Sequence, residues 1–171
     1  MAQRARWTRA VAAASVFVTL AVSPAATGEA ALTTDPSELD WRWPVEPVRI
    51  VAAYQAPPHD YGPGHRGIDL AADALDVHAP ADGIIAFAGP VAGRGVVTID
   101  HGGGLVTTLE PVAPRVTAGA HVDRGQTVAS VASGGHAPPG VLHFGVRLEG
   151  EYINPMLLLG GVPRAVLLPC C

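Results

Sequence analysis

"PGVLHFGVRLEG", residues 139–150, opens on a Pro-Gly turn signal, runs through eight residues of alternating character and closes on a second turn. A period of two puts Leu142, Phe144 and Val146 on one face of a strand and Val141, His143 and Gly145 on the other. The first face is apolar and reads as core. His143 therefore projects from the opposite face, with Gly145 leaving room beside it for a bulky group. Taken alone, the stretch suits a half-exposed strand histidine as well as a metal ligand.

The same punctuation extends along the chain. Strands are predicted at 83–88, 95–100, 104–110 and 126–132, separated by turn signals such as "ADG", "AGRG", "DHGGG", "DRGQ" and "LEGE". Gly 20 and Pro 16, with only 15% charged and 5% aromatic residues, favour short strands and many turns. No stretch after the first thirty residues sustains a 3.6-residue period, and "PMLLLGGVPRAVLLP" accommodates at most one short helix before a tail. The expected fold is mostly β, a compact antiparallel sheet domain.

Residues 1–30 read as a secretory signal segment: basic "MAQRARWTR", apolar "AVAAASVFVTLAV", then small residues with a cleavage point near Ala25 or Ala26. The apolar run is short for a bilayer span, so an uncleaved membrane anchor is the alternative. A secreted or cell-wall-associated location follows. Residues 31–42 form an expected linker, 43–160 the β domain and 161–171 a C-terminal tail. Cys170 and Cys171, adjacent in that tail, leave an intermolecular bridge and two free thiols equally open.

Every basic residue is arginine. Loss of Arg4, Arg6 and Arg9 with the leader takes the formal net charge from -4 to about -7, which excludes nucleic-acid binding through a basic face. No transmembrane partner is inferred.

Zinc takes about four ligands from His, Cys, Asp and Glu, and a catalytic site keeps one position open. "GHRGIDL" supplies His65 and Asp69, four residues apart, but "HAPAD" gives His78 and Asp82 the same spacing. Pro80 and an "ADG" turn set the second pair aside. In an extended strand such residues lie about 13 Å apart, so the chain must curl between them, with Gly67 as the permissive residue. A loop histidine and a turn-capping aspartate remain the alternative on spacing alone. His65, Asp69 and His143 together make two histidines and a carboxylate, the composition of a hydrolytic zinc site.

In order along the chain, "YGPGHRGIDLAA" (61–72), "ADGIIAFAG" (81–89), "GRGVVTIDHGGGLVTTLEPV" (93–112), "VTAGAHVDRGQTVASV" (116–131) and "VLHFGVRLEGEYINPMLLL" (141–159) resemble the lysostaphin-type (LytM-like) zinc endopeptidases of bacterial peptidoglycan. The resemblance runs from Trp43 to about Leu159. It implies a LytM-type β domain binding one zinc ion through His65, Asp69 and His143, with peptidoglycan stem or cross-bridge peptide as partner. Two departures qualify the implied activity: Val141 and Pro111 stand where the family carries its catalytic histidines, and neither accepts a proton. A positioned general base contributes about 10² to 10⁴ in rate. Glu110, next to Pro111, is expected to point away from that position, and His136 in the "GGHAPPG" loop is the candidate substitute base. Arg66 and Tyr61 are candidate substrate-binding neighbours of His65.

An exported peptidoglycan metallopeptidase of low activity is one expectation, and an inactive cell-wall-binding or regulatory module that keeps its zinc is the other. A third reading arises because "ADGIIAFAG" with "VTAGAHVDRGQTVASV" also resembles biotinyl or lipoyl carrier domains. Those need a modified lysine, and this chain has none.

Overall fold

The protein is described by a computed structural model covering residues 40–160 except Asp60, Ala74, His136 and Ala137. The expected signal segment, the linker up to residue 39, the tail with its cysteines and the candidate base His136 lie outside the described residues.

Alternating sequence becomes strand as expected: β4 (Gly83–Val91), β5 (Arg94–Asp100), β6 (Leu105–Glu110), β9 (Thr127–Val131) and β10 (Val141–Leu148) cover the five predicted stretches. Six short strands join them, namely β1 (Ile50–Ala52), β2 (Ile68–Ala71), β3 (Asp76–His78), β7 (Val112–Pro114), β8 (His121–Val122) and β11 (Glu151–Ile153). The one helical element among the described residues is a 3-10 turn at Pro155–Leu157, capped by the Asn154 side chain. No described helix is long and apolar enough to cross a membrane.

The larger sheet has the order β1-β2-β10-β6-β5-β4-β8, with β11 also pairing β10, and a three-stranded sheet has the order β3-β9-β7. Every strand pair is antiparallel. Two tight hairpins impose this. Ala92 and Gly93 between β4 and β5, and Glu149 and Gly150 between β10 and β11, all have positive φ, the two-residue turn whose twist matches the strands it joins.

Leu142, Phe144 and Val146 of β10, Leu105 and Leu109 of β6, and Val97 and Ile99 of β5 are buried on one face of the large sheet. They form a core with Val112, Val128 and Ala129 of the small sheet, and Trp41 and Val45 join it from the N-terminal side. Trp41 stands two residues before the expected start of the domain. Because β10 carries its apolar residues at 142, 144 and 146, residues 141, 143 and 145 turn to the other face, where the site lies.

A candidate metal centre on the outer face of the large sheet

Register brings the first two candidate residues together. β10 pairs β2 with His143 opposite Asp69, so the two side chains emerge side by side on one face. His65 precedes β2 in a segment folded back on residues 53–55. Gln55 and His65 exchange backbone hydrogen bonds of 3.0 and 2.9 Å, which turn the imidazole towards the other two side chains.

His65 Nε2 lies 3.0 Å from Asp69 Oδ1 and 3.2 Å from His143 Nδ1, and His143 Nδ1 lies 2.8 Å from the same carboxylate oxygen. All three residues are half-buried. The tautomer of His65 follows from its other nitrogen: Nδ1 faces the Ala53 carbonyl at 2.8 Å, and a carbonyl only accepts, so Nδ1 carries the proton. Nε2 is then a lone pair aimed at the cluster.

The donors fit a small divalent cation. A tetrahedron with metal–ligand bonds of about 2.0–2.1 Å has edges of about 3.3–3.4 Å. The observed triangle is a few tenths of an ångström tighter, so an ion would enter with slight spreading. Two nitrogens and an oxygen are zinc-type donors, and the Ala53 carbonyl on His65 is the outer partner such ligands ordinarily have.

Gly67 acts differently from the sequence expectation. It is not among the residues of positive φ. Its missing side chain is what matters, because a Cβ there would lie 2.5 Å from the Phe144 carbonyl oxygen and 2.6 Å from His143 Nε2. The space beside Gly145 is likewise taken: a Cβ there would meet the Arg66 carbonyl oxygen at 3.3 Å and His143 Nε2 at 3.7 Å. Gly67→Ala is expected to cost about 1–3 kcal/mol of stability through overpacking. Zinc affinity should fall about tenfold or more as the His143 ring is displaced. Thermal melts and chelator competition would check this, and unchanged values for both would refute the close-packing role.

Tyr61 is 96% exposed. Arg66 donates to the Gly62 carbonyl at 3.4 Å and lines a groove with Tyr54, Pro57, His59, Glu151 and Tyr152. Val141 is on the ligand face, opposite Ala71. Pro111 is buried where the chain passes from the large sheet to β7 of the small one. Glu110 stands directly opposite His143 on β6, on the same face, a relation that local alternation around Pro111 did not reveal.

The second His–Asp pair does not converge. His78 Nδ1 approaches the Gly125 carbonyl at 3.1 Å, and Asp82 accepts from the Arg124 backbone N–H at 2.6 Å. His101 is also structural: Nδ1 donates to the Asp82 carbonyl at 2.7 Å and Nε2 accepts from the hydroxyl of Thr107, a residue with no exposure, at 2.8 Å. Burial pushes the His101 pKa below its ordinary 6.5, outweighing the Asp82 carbonyl and the charges of Asp100 and Asp82. The folded state thus favours neutral His101. Its contribution is fully present above pH 6.5 and is lost as pH falls through the lowered folded value. Compared with His101→Gln, the wild type should lose stability more steeply below pH 6.5 in thermal melts at stepped pH. Parallel curves would exclude this role.

Comparison with known proteins assigns the family. Residues 63–155, which span all three candidate ligands, match the model of peptidase family M23. The chain belongs to that family. It is the lysostaphin-type family of the sequence motifs. An uncharacterized protein of Mycobacterium tuberculosis is 35% identical over 144 residues, covering 80% of this chain and 57% of its own length. This M23 chain thus spans a little over half of that mycobacterial relative. The DD-carboxypeptidase/endopeptidase Mpg of Neisseria meningitidis is 35% identical over 94 residues, 54% of this chain and 22% of Mpg. The murein hydrolase activator EnvC of Escherichia coli is 34% identical over 92 residues, 53% of this chain and 22% of EnvC. Among solved structures, a putative peptidase M23 from Pseudomonas aeruginosa superposes with a TM-score of 0.59 at 26% identity, covering 75% of this chain and 53% of that one.

Proposed function

We propose that this M23 domain is exported, binds one zinc ion through His65, Asp69 and His143, and acts on peptide cross-links of bacterial peptidoglycan. The observation that carries the reading is the triangle of two imidazole nitrogens and a carboxylate oxygen with edges of 2.8, 3.0 and 3.2 Å, in a chain of a peptidase family. The leader-like residues 1–30 support export, and the name of EnvC, a murein hydrolase activator, supports a cell-wall setting.

Zinc in this cradle would polarise a peptide carbonyl and make water nucleophilic at neutral pH. The chain's own part is to hold the three donors: the Ala53 carbonyl fixes the His65 tautomer, and Gly67 makes room for the His143 ring. Arg66 and Tyr61, flanking the first ligand, are the proposed peptide contacts. For proton transfer, Val141 and Pro111 offer nothing, and His136, five residues before β10, is the proposed substitute base.

Val141 on the ligand face also favours a second reading, in which zinc stabilises a domain that binds or regulates without cutting. Zinc content of the purified mature domain, measured beside release of soluble fragments from peptidoglycan, separates the two. Zinc with slow release that disappears in His136→Ala supports the peptidase. Zinc without release supports the regulatory module, and absence of zinc overturns both.

A further inference from the structure

The face that carries the candidate ligands does not end at His143. Across the sheet, Asp69 of β2 stands opposite His143 of β10, and His143 stands opposite Glu110 of β6. β6 in turn pairs β5 with Leu109 opposite Val97, so residues 94, 96 and 98 of β5 share the face of Glu110. Arg94 lies there and reaches back along it. Its Nη2 donates to Glu110 Oε1 at 3.1 Å, and Nε lies 3.0 Å from Oε2 as an ion pair without hydrogen-bond geometry.

This pair is enclosed as well as aligned. The side chains of Arg94 and Glu110 are only 22% and 15% exposed. Gly134 and Gly135, both of positive φ, close over the arginine so tightly that a Cβ at 135 would lie 2.7 Å from Arg94 Cδ. An ion pair removed this far from water repays little of its desolvation as stability. It does hold a planar set of N–H donors at the side chain of Glu110, on the strand next to that of His143. Among the described residues, Nη1 donates to the Val91 carbonyl at 3.5 Å.

We infer that Arg94 is a substrate-binding residue of this site, donating from the outer edge of its guanidinium to a backbone carbonyl oxygen of the bound peptide, and that Glu110 is the positioning residue that aims it. This rests on reading His65, Asp69 and His143 as a metallopeptidase centre. Because Glu110 offsets the charge of Arg94, the fitting acceptor is a neutral peptide carbonyl. The pair fixes the direction of the peptide across the ligands, from the Tyr54, Arg66 and Tyr152 side towards β6 and β5. It also gives the face a polar contact where Val141 has none.

The test measures three quantities on the same zinc-loaded domain: zinc content, melting temperature and affinity for a soluble peptidoglycan stem peptide by calorimetry. Arg94→Gln should keep zinc at the wild-type ratio and lose about 10- to 100-fold in peptide affinity, the effect of one hydrogen bond to a charged group. Glu110→Gln, which leaves the arginine in place but loosens its grip, should lose less. Arg94→Lys retains charge without the planar fork, guards against unfolding of the glutamine variant, and should also bind weakly. A lowered melting temperature with wild-type peptide affinity would show a merely structural staple and overturn the inference. Should the wild type hold no zinc, the metallopeptidase reading fails, while peptide affinity of wild type against Arg94→Gln still decides the arginine's role. A wild type that holds zinc but binds no stem peptide overturns this inference and the proposed substrate together.

Discussion

His143→Ala is expected to strip zinc from the purified domain, lowering metal content from one ion per chain to the level of a buffer control. The reason is geometric. His143 Nδ1 is the vertex nearest the Asp69 carboxylate, at 2.8 Å, and also faces His65 Nε2 at 3.2 Å, so its loss leaves two donors. Two ligands fall short of the three protein donors that an open zinc site requires. The scaffold should survive, since the ring lies on the outer face while Leu142 and Phe144 beside it have no exposure and make the core contacts. Mass spectrometry of metal content with circular dichroism would check both halves. Zinc retained at the wild-type ratio in a folded variant would remove His143 from the ligand set.

Val141→His is expected to raise peptidoglycan hydrolysis by about 10² to 10⁴, the usual contribution of a positioned general acid or base. Val141 lies two residues before His143 on the same strand, so a histidine there projects from the ligand face. Its cross-strand neighbour is Ala71, opposite in register, which is small enough to admit an imidazole. The valine is only half-buried, and the exchange leaves the apolar face of β10 untouched. Fragment release compared between the two proteins at equal zinc content is the measurement. An unchanged rate would mean that proton transfer does not limit hydrolysis here, or that zinc in this domain is structural. Adding His143→Ala to the valine replacement separates these outcomes, because activity dependent on zinc disappears with the ligand.

Much of the fold was legible because its longer strands carry their own periodicity. β6 reads Leu105, Thr107, Leu109 inward and Val106, Thr108, Glu110 outward, a pattern visible in six letters. The short strands were not legible. β2 has four residues, three of them buried, and owes its strand state to pairing with β1 and β10. β8 has two residues, too few for any period, and forms only because Gly83 and Ile84 offer it an edge. Of the candidate site, residue types and the outward face of His143 were readable from local alternation. The role of Gly67 was not, since a clash with the Phe144 carbonyl involves a residue far away in the chain.

Which side chains were able to take part is written in the chain: the histidines and carboxylates, the absence of lysine, and a strand whose alternation turns His143 away from the core. Those are consequences of composition and of a two-residue repeat, both local. Which of them meet depends on the fold. His65 and His143 are 78 residues apart, and a one-residue slip of β10 against β2 would put Asp69 opposite a core position instead. Register also placed Glu110 beside His143 and Arg94 behind it. Strand register is set by the summed burial of every apolar face in the sheet, so no segment read alone contains it.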